Sequence, residues 1–126
     1  MTMLTPLKRA RGLGSAKEGA GHFMRQRITA VANLILAPIV LWLIVSLAGA
    51  DLATVKATLS HPLVATALIA FVLSVAVHMR IGIQVIIEDY VHGARAKLLL
   101  LLANTLFAYG VGAIAVFAVL KLSFGV

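Results

Sequence analysis

Three long apolar runs organise the chain, from about Ile28 to Ala50, from Leu63 to Ile87 and from Leu98 to Leu120. Each reaches the roughly 20 residues that a helix needs to cross about 30 Å of hydrocarbon. Polar and charged residues gather between the runs and ahead of the first. The pattern therefore predicts an all-α membrane protein: a basic segment over residues 1–27, then one membrane domain over 28–126 with three spanning helices and short loops. Such a layout leaves no room for a soluble catalytic domain.

Composition agrees, with 62% hydrophobic and 12% charged residues where soluble domains carry roughly 45–50% and 25%. The absence of cysteine excludes cysteine-ligated iron–sulfur clusters, disulfides and thiol catalysis within the chain. The first 27 residues lack an apolar stretch followed by a small-residue cleavage site, so they do not read as a secretory signal.

The basic residues set an orientation. Lys8, Arg9, Arg11, Lys17, Arg25 and Arg27 precede the first span and Arg95 and Lys97 lie in the second loop, whereas the first loop has Lys56 against Asp51. The positive-inside rule places the amino terminus and the 88–97 loop in the cytoplasm; Lys121 argues weakly the other way. The glycine-rich tail has little reason to order alone. "SAKE" at Ser15 to Glu18 has the spacing of a capping box, but Gly19 and Gly21 are expected to break the helix it starts. With a net charge of +7, the tail suits either anionic lipid or a soluble partner subunit, not nucleic acid.

The outer spans carry few polar groups. Helix one contains Asn33 and Pro38, which a membrane helix tolerates when neighbours satisfy the freed backbone groups. In helix three, Asn104, Tyr109, Gly110 and Gly112 read as packing residues, the glycines allowing another helix to come close.

Helix two is different. In "HMRIGIQVIIEDYVHG", His78 lies ten residues before Glu88, about 15 Å from the predicted cytoplasmic end and so near the bilayer midplane. Ionisable groups at that depth usually face protein, water or a cofactor. At about 100° per residue, Phe71, Ser74, His78, Gly82, Val85 and Asp89 share one stripe. Gly82 is expected to leave open the imidazole's approach, which suits a flat macrocycle with neutral imidazole on its iron. A histidine hydrogen-bonded to a neighbouring helix fits the spacing as well. If haem is bound, a second histidine ligand has to come from another polypeptide, since His22, His61 and His92 all lie outside the spans.

Arg80 is about 200° around the helix from His78. It is expected to snorkel to the cytoplasmic side or to pair within a subunit interface, with a haem propionate as a further candidate. Asp89 and Tyr90 stand at the cytoplasmic boundary, where tyrosine is common as an interface anchor. The pair could also serve a quinone, the phenol donating to a carbonyl and the carboxylate relaying protons. Arg25 and Arg27, at the same face, could neutralise haem propionates or a quinone anion, or act only as anchors.

The His-x-x-x-Gly-(x)6-Asp-Tyr segment of "HMRIGIQVIIEDYVHG" resembles the smaller hydrophobic anchor of succinate dehydrogenase, respiratory complex II, and "GLGSAKEGAGHFMRQRITAVAN" is similar to that anchor in alphaproteobacteria. The resemblance covers nearly the whole chain. It implies a bacterial inner-membrane subunit in a heteromeric bundle with a second, cytochrome b anchor, an iron–sulfur subunit and a flavoprotein. Within that complex it implies one haem b shared by the anchors and a ubiquinone site, passing electrons from succinate to quinone between the tricarboxylic acid cycle and the respiratory chain. Carried onto this sequence, His78 would be an axial ligand to the haem iron, Arg27 a propionate neighbour, and Tyr90 and Asp89 the quinone-site residues. The anchor itself would be non-catalytic. Gln84 and Arg80 receive no role from it.

Three other readings stay open: the anchor of a related fumarate reductase, a small proton or ion transport subunit using His78, Arg80 and Asp89, and a purely structural anchor. Helix three offers no intramembrane charge to complete an ion relay, and helix one only Asn33.

Overall fold

A computed structural model describes Leu7 and residues 19–124. Among the described residues it forms four helices: α1 (Gly19–Ser46), α2 (Leu52–Leu59), α3 (Pro62–Tyr90) and α4 (Ala94–Phe124). Three stretches are long and apolar enough to cross a membrane, Ala20–Ser46, Pro62–Tyr90 and Ala94–Phe124.

The helices do not keep to the limits that hydropathy suggests. α1 begins at Gly19 instead of near Ile28 and ends at Ser46 instead of Ala50, while α3 and α4 overrun 63–87 and 98–120 at both ends. Hydropathy marks the part that sits in hydrocarbon, but the backbone hydrogen-bond ladder continues past it. With 28, 29 and 31 residues, these are rods of roughly 42–47 Å, so their ends pass beyond the apolar layer. Gly19 and Gly21 lie inside α1 and do not break it, because a glycine costs only about 1 kcal/mol against a helix already propagating from the membrane. Arg25 and Arg27 are thus helical. The Ser15–Glu18 capping box lies outside the described residues.

The first loop contains structure that hydropathy does not mark. Gly49, at φ 81°, turns the chain after α1 in a conformation that costs other residues more. Asp51 then caps α2, accepting the Thr54 amide at 3.2 Å. Pro62 opens α3 at its first turn, where a missing N–H is harmless.

The spans stand in a row. α3 packs on α1 along one side and on α4 along the other, α1 and α4 do not touch, and α2 rests against α3 and α4. Few side chains are buried as a result: Val40 and Leu43 on α1, Ala65, Ile81 and Ile87 on α3, and Asn104, Ala108 and Gly112 on α4. The last three recur every fourth residue, a stripe of small side chains that lets α3 approach. A Cβ added to Gly112 would stand 3.3 Å from the Ala76 Cβ. Gly112 thus has the packing role expected of it, whereas Gly110 meets nothing within 4 Å. Beyond the seams the helices are broadly apolar and exposed, for example at Leu34, Trp42, Leu106 and Ile114.

Candidate functional site

The α1/α3 seam gathers a cluster of polar groups from the two helices. On α1, Gln26, Thr29 and Asn33 repeat at three- and four-residue steps and so share a face; on α3, Ser74, His78 and Gly82 repeat at four. The two faces meet. The Thr29 Oγ1 lies 3.1 Å from the His78 Nδ1, and the Ser74 hydroxyl donates to the Thr29 carbonyl at 3.2 Å. Both contacts lie among half-buried side chains, where a hydrogen bond is worth more than in water.

A threonine hydroxyl has one proton to give. Thr29 gives it back to its own helix, to the Arg25 carbonyl at 2.9 Å with Gln26 O at 3.1 Å beside it. With that proton spent, the oxygen is free to accept from the ring, and the tautomer that satisfies all three contacts is the one with the proton on the His78 Nδ1 and the lone pair on Nε2. The polar side-chain atoms sealed in without a partner are Gln26 Oε1, Asn33 Oδ1 and Asn104 Oδ1. The His78 Nε2 has no hydrogen-bond partner among the described residues, and the residue is half-buried.

Gly82, one turn past His78, lies beside α1: a Cβ there would stand in ordinary contact with the Gln26 Nε2 at 3.7 Å. No group of three or more His, Cys, Asp or Glu gathers among the described residues, so a metal at His78 would draw its remaining ligands from outside this chain.

Asp89 and Tyr90 close α3 and are exposed, Tyr90 to 78%. The turn before them is held firmly. Lys97, from the first turn of α4, donates to the Glu88 carbonyl at 2.8 Å, Gln84 donates to the Glu88 carboxylate at 2.8 Å, and the Val91 amide reaches the Ile87 carbonyl. Helix C-terminal carbonyls lack intrahelical partners and favour cations, which accounts for the lysine. Asp89 is 11 residues past His78, a rise of about 17 Å, so the two belong to separate places on one helix. Arg27 lies off the Thr29 face of its helix. It is exposed, its guanidinium lies 5.0 Å from the Phe23 ring centroid, and two residues from Thr29 put it about 200° around α1.

Arg80 points to the other side of α3. Its Nε donates to the Thr105 Oγ1 at 3.3 Å, the guanidinium sits 5.5 Å from the Tyr109 centroid, and its carbonyl accepts the Asn104 Nδ2 at 2.9 Å. Asn104 is only 8% exposed, a packing residue that also fixes the backbone at Arg80.

Thr29, Gln26, Lys97 and Thr105 escaped the sequence reading. Polar residues at helix ends and a single threonine within an apolar run are too common to stand out; only the cross-helix contacts distinguish them. The periodicity of Gln26, Thr29 and Asn33 was the one available signal, and it marks a polar face without naming its partner.

Residues 1–112 match the family described as succinate dehydrogenase/fumarate reductase transmembrane subunit. The succinate dehydrogenase hydrophobic membrane anchor subunit of Paracoccus denitrificans is 31% identical over 125 residues, covering 99% of this chain and 96% of that one. The corresponding subunit of Rickettsia bellii (strain RML369-C) is 30% identical over 100 residues, covering 79% and 80%. No solved structure matches. With three membrane-length helices and a match over most of its length, the chain belongs to the succinate dehydrogenase/fumarate reductase transmembrane subunit family, as a membrane anchor of the succinate dehydrogenase kind.

Proposed function

We propose that this anchor shares a haem b through His78 and contributes Tyr90 and Asp89 to a ubiquinone site, in electron transfer from succinate to quinone. The observation that carries the reading is the Thr29–His78 contact at 3.1 Å. Ligating histidines commonly donate their second ring N–H to a fixed acceptor, which sets the tautomer and makes the ligating nitrogen more basic. Thr29 does this for Nδ1 and leaves Nε2 for iron. When bound, haem b supplies a one-electron carrier within the membrane.

The remaining iron ligand would come from the second, cytochrome b anchor. The exposed Tyr90 and Asp89 would complete their pocket against that anchor and the iron–sulfur subunit, which receives electrons from the flavoprotein. There Tyr90 donates its phenolic proton to a quinone carbonyl and Asp89 passes protons from water. Arg25 and Arg27, both exposed on the first turns of α1, are available to anionic haem propionates. Their charge, with that of Arg95 and Lys97, supports an orientation with this end of the bundle at the cytoplasmic face of the inner membrane. A fumarate reductase anchor would share these features, since the direction of flow follows the cofactor potentials and the quinone.

The test is a reduced-minus-oxidised spectrum of the complex purified with wild-type and His78→Ala anchors. A b-type signal that disappears with His78→Ala is expected. An undiminished signal in the variant would rule out His78 as the ligand.

A further inference from the structure

The α3/α4 face contains a positive charge that nothing among the described residues neutralises. The acids among the described residues are Asp51, in the first loop, and Glu88 and Asp89, which lie eight and nine residues past Arg80 on its own helix. That is a rise of at least about 12 Å. Arg80 has the Thr105 hydroxyl on Nε and the Tyr109 ring near its guanidinium, neither of which carries a formal charge. An unpaired arginine at the centre of a membrane helix is costly even on the mildest scale.

Snorkelling, the usual relief, does not describe this side chain. Counting from the end of the bundle where α3 stops and α4 starts, the Arg80 backbone is ten residues in and Thr105 and Tyr109 are 11 and 15 in. At 1.5 Å per residue these are levels of about 15, 16 and 22 Å. The guanidinium therefore leans inward, toward the middle of rods roughly 42–47 Å long. Helical side chains tilt toward the helix N-terminus, which for α3 is the far end. A lipid phosphate on the near side would lie behind it.

We propose that Arg80, with Thr105 and Tyr109 beside it, is a docking point for a carboxylate on a membrane helix of another subunit. The charge selects an acid, and the depth selects a protein helix over a lipid headgroup. A second copy of this chain is excluded as the occupant because the acids on its described residues all lie at helix ends or in the first loop. Tyr109 is 55% exposed, so the α4 edge of the site faces outward, where a partner helix could lie. The inference is independent of any role for His78 in haem binding.

The intact complex would be purified from membranes with an Arg80→Lys anchor, which keeps the charge but presents an amine. It would then be treated with the membrane-permeant reagent dicyclohexylcarbodiimide. The reagent activates a carboxylate; the amine displaces it, an amide forms and the urea leaves. The expected result is a cross-linked peptide joining position 80 to an aspartate or glutamate within a span of a different subunit. A link to lipid, to a second copy of this chain, or no link in the assembled variant overturns the proposal. In parallel, Arg80→Leu should lower the other membrane subunit recovered with the anchor in detergent on the order of tenfold or more, and unchanged recovery counts equally against it.

Discussion

Thr29 on α1 and His78 on α3 meet at 3.1 Å, and the threonine is itself tied back to the Arg25 carbonyl at 2.9 Å. The imidazole is thereby tied to a helix that hydropathy alone would treat as an inert span. Thr29→Val keeps the shape and removes the acceptor. On the haem reading, the expected outcome is an assembled complex whose haem is held about 10–100-fold less tightly, with a raised reduction potential because the ligating nitrogen is a weaker donor. Potentiometric titration and haem content of the purified complex measure both, and values equal to wild type would show the hydroxyl to be a packing contact only.

Tyr90 is exposed at the end of a turn pinned by Lys97 and Gln84. On the quinone reading, Tyr90→Phe lowers ubiquinone reduction while succinate oxidation with an artificial dye persists. Equal loss of both activities would point to failed assembly. Lys97→Met is expected to loosen the Glu88 carbonyl and raise the KM for ubiquinone more than it lowers kcat, with Lys97→Arg restoring it.

Gly112 sets the distance between α3 and α4. Because a Cβ already meets Ala76 at 3.3 Å, Gly112→Val adds branches that have nowhere to go and should destabilise the anchor by about 1–3 kcal/mol. Gly110→Ala, with nothing within 4 Å, is the control and should leave stability unreduced or slightly raised. Thermal unfolding in detergent compares the two, and equal behaviour would contradict close packing at Gly112.

The first loop titrates. The hydrogen bonds from Thr54, side chain foremost and backbone amide next, hold the Asp51 carboxyl below its ordinary value of 3.8. A group with a depressed folded pKa contributes stability above its unfolded pKa and loses it as pH falls through the folded value. Protection of the α2 amides from hydrogen exchange should therefore be full at neutral pH and decline below about pH 4. Asp51→Asn, which retains a capping oxygen, should flatten that decline; the same decline in the variant would mean that another group is responsible.

Length and hydropathy alone determine three membrane helices, because a bilayer of fixed thickness demands a fixed number of apolar residues. They also single out His78 and Arg80 as groups at unusual depth and place Asp89 and Tyr90 at a boundary, since rise per residue converts position into depth. They do not determine which neighbour each face meets. Spans that are apolar nearly all round carry no stripe to mark an inner side, and no difference between lipid and protein drives one face inward. Only the tertiary structure decides that α3 stands between α1 and α4, and that Thr29 closes on His78 while Gln26 lies beside Gly82. It also turns Arg80 to the opposite seam and inward, because close packing at Gly112 and Ala76 and the polar contacts across both seams select one arrangement among faces of nearly equal hydropathy.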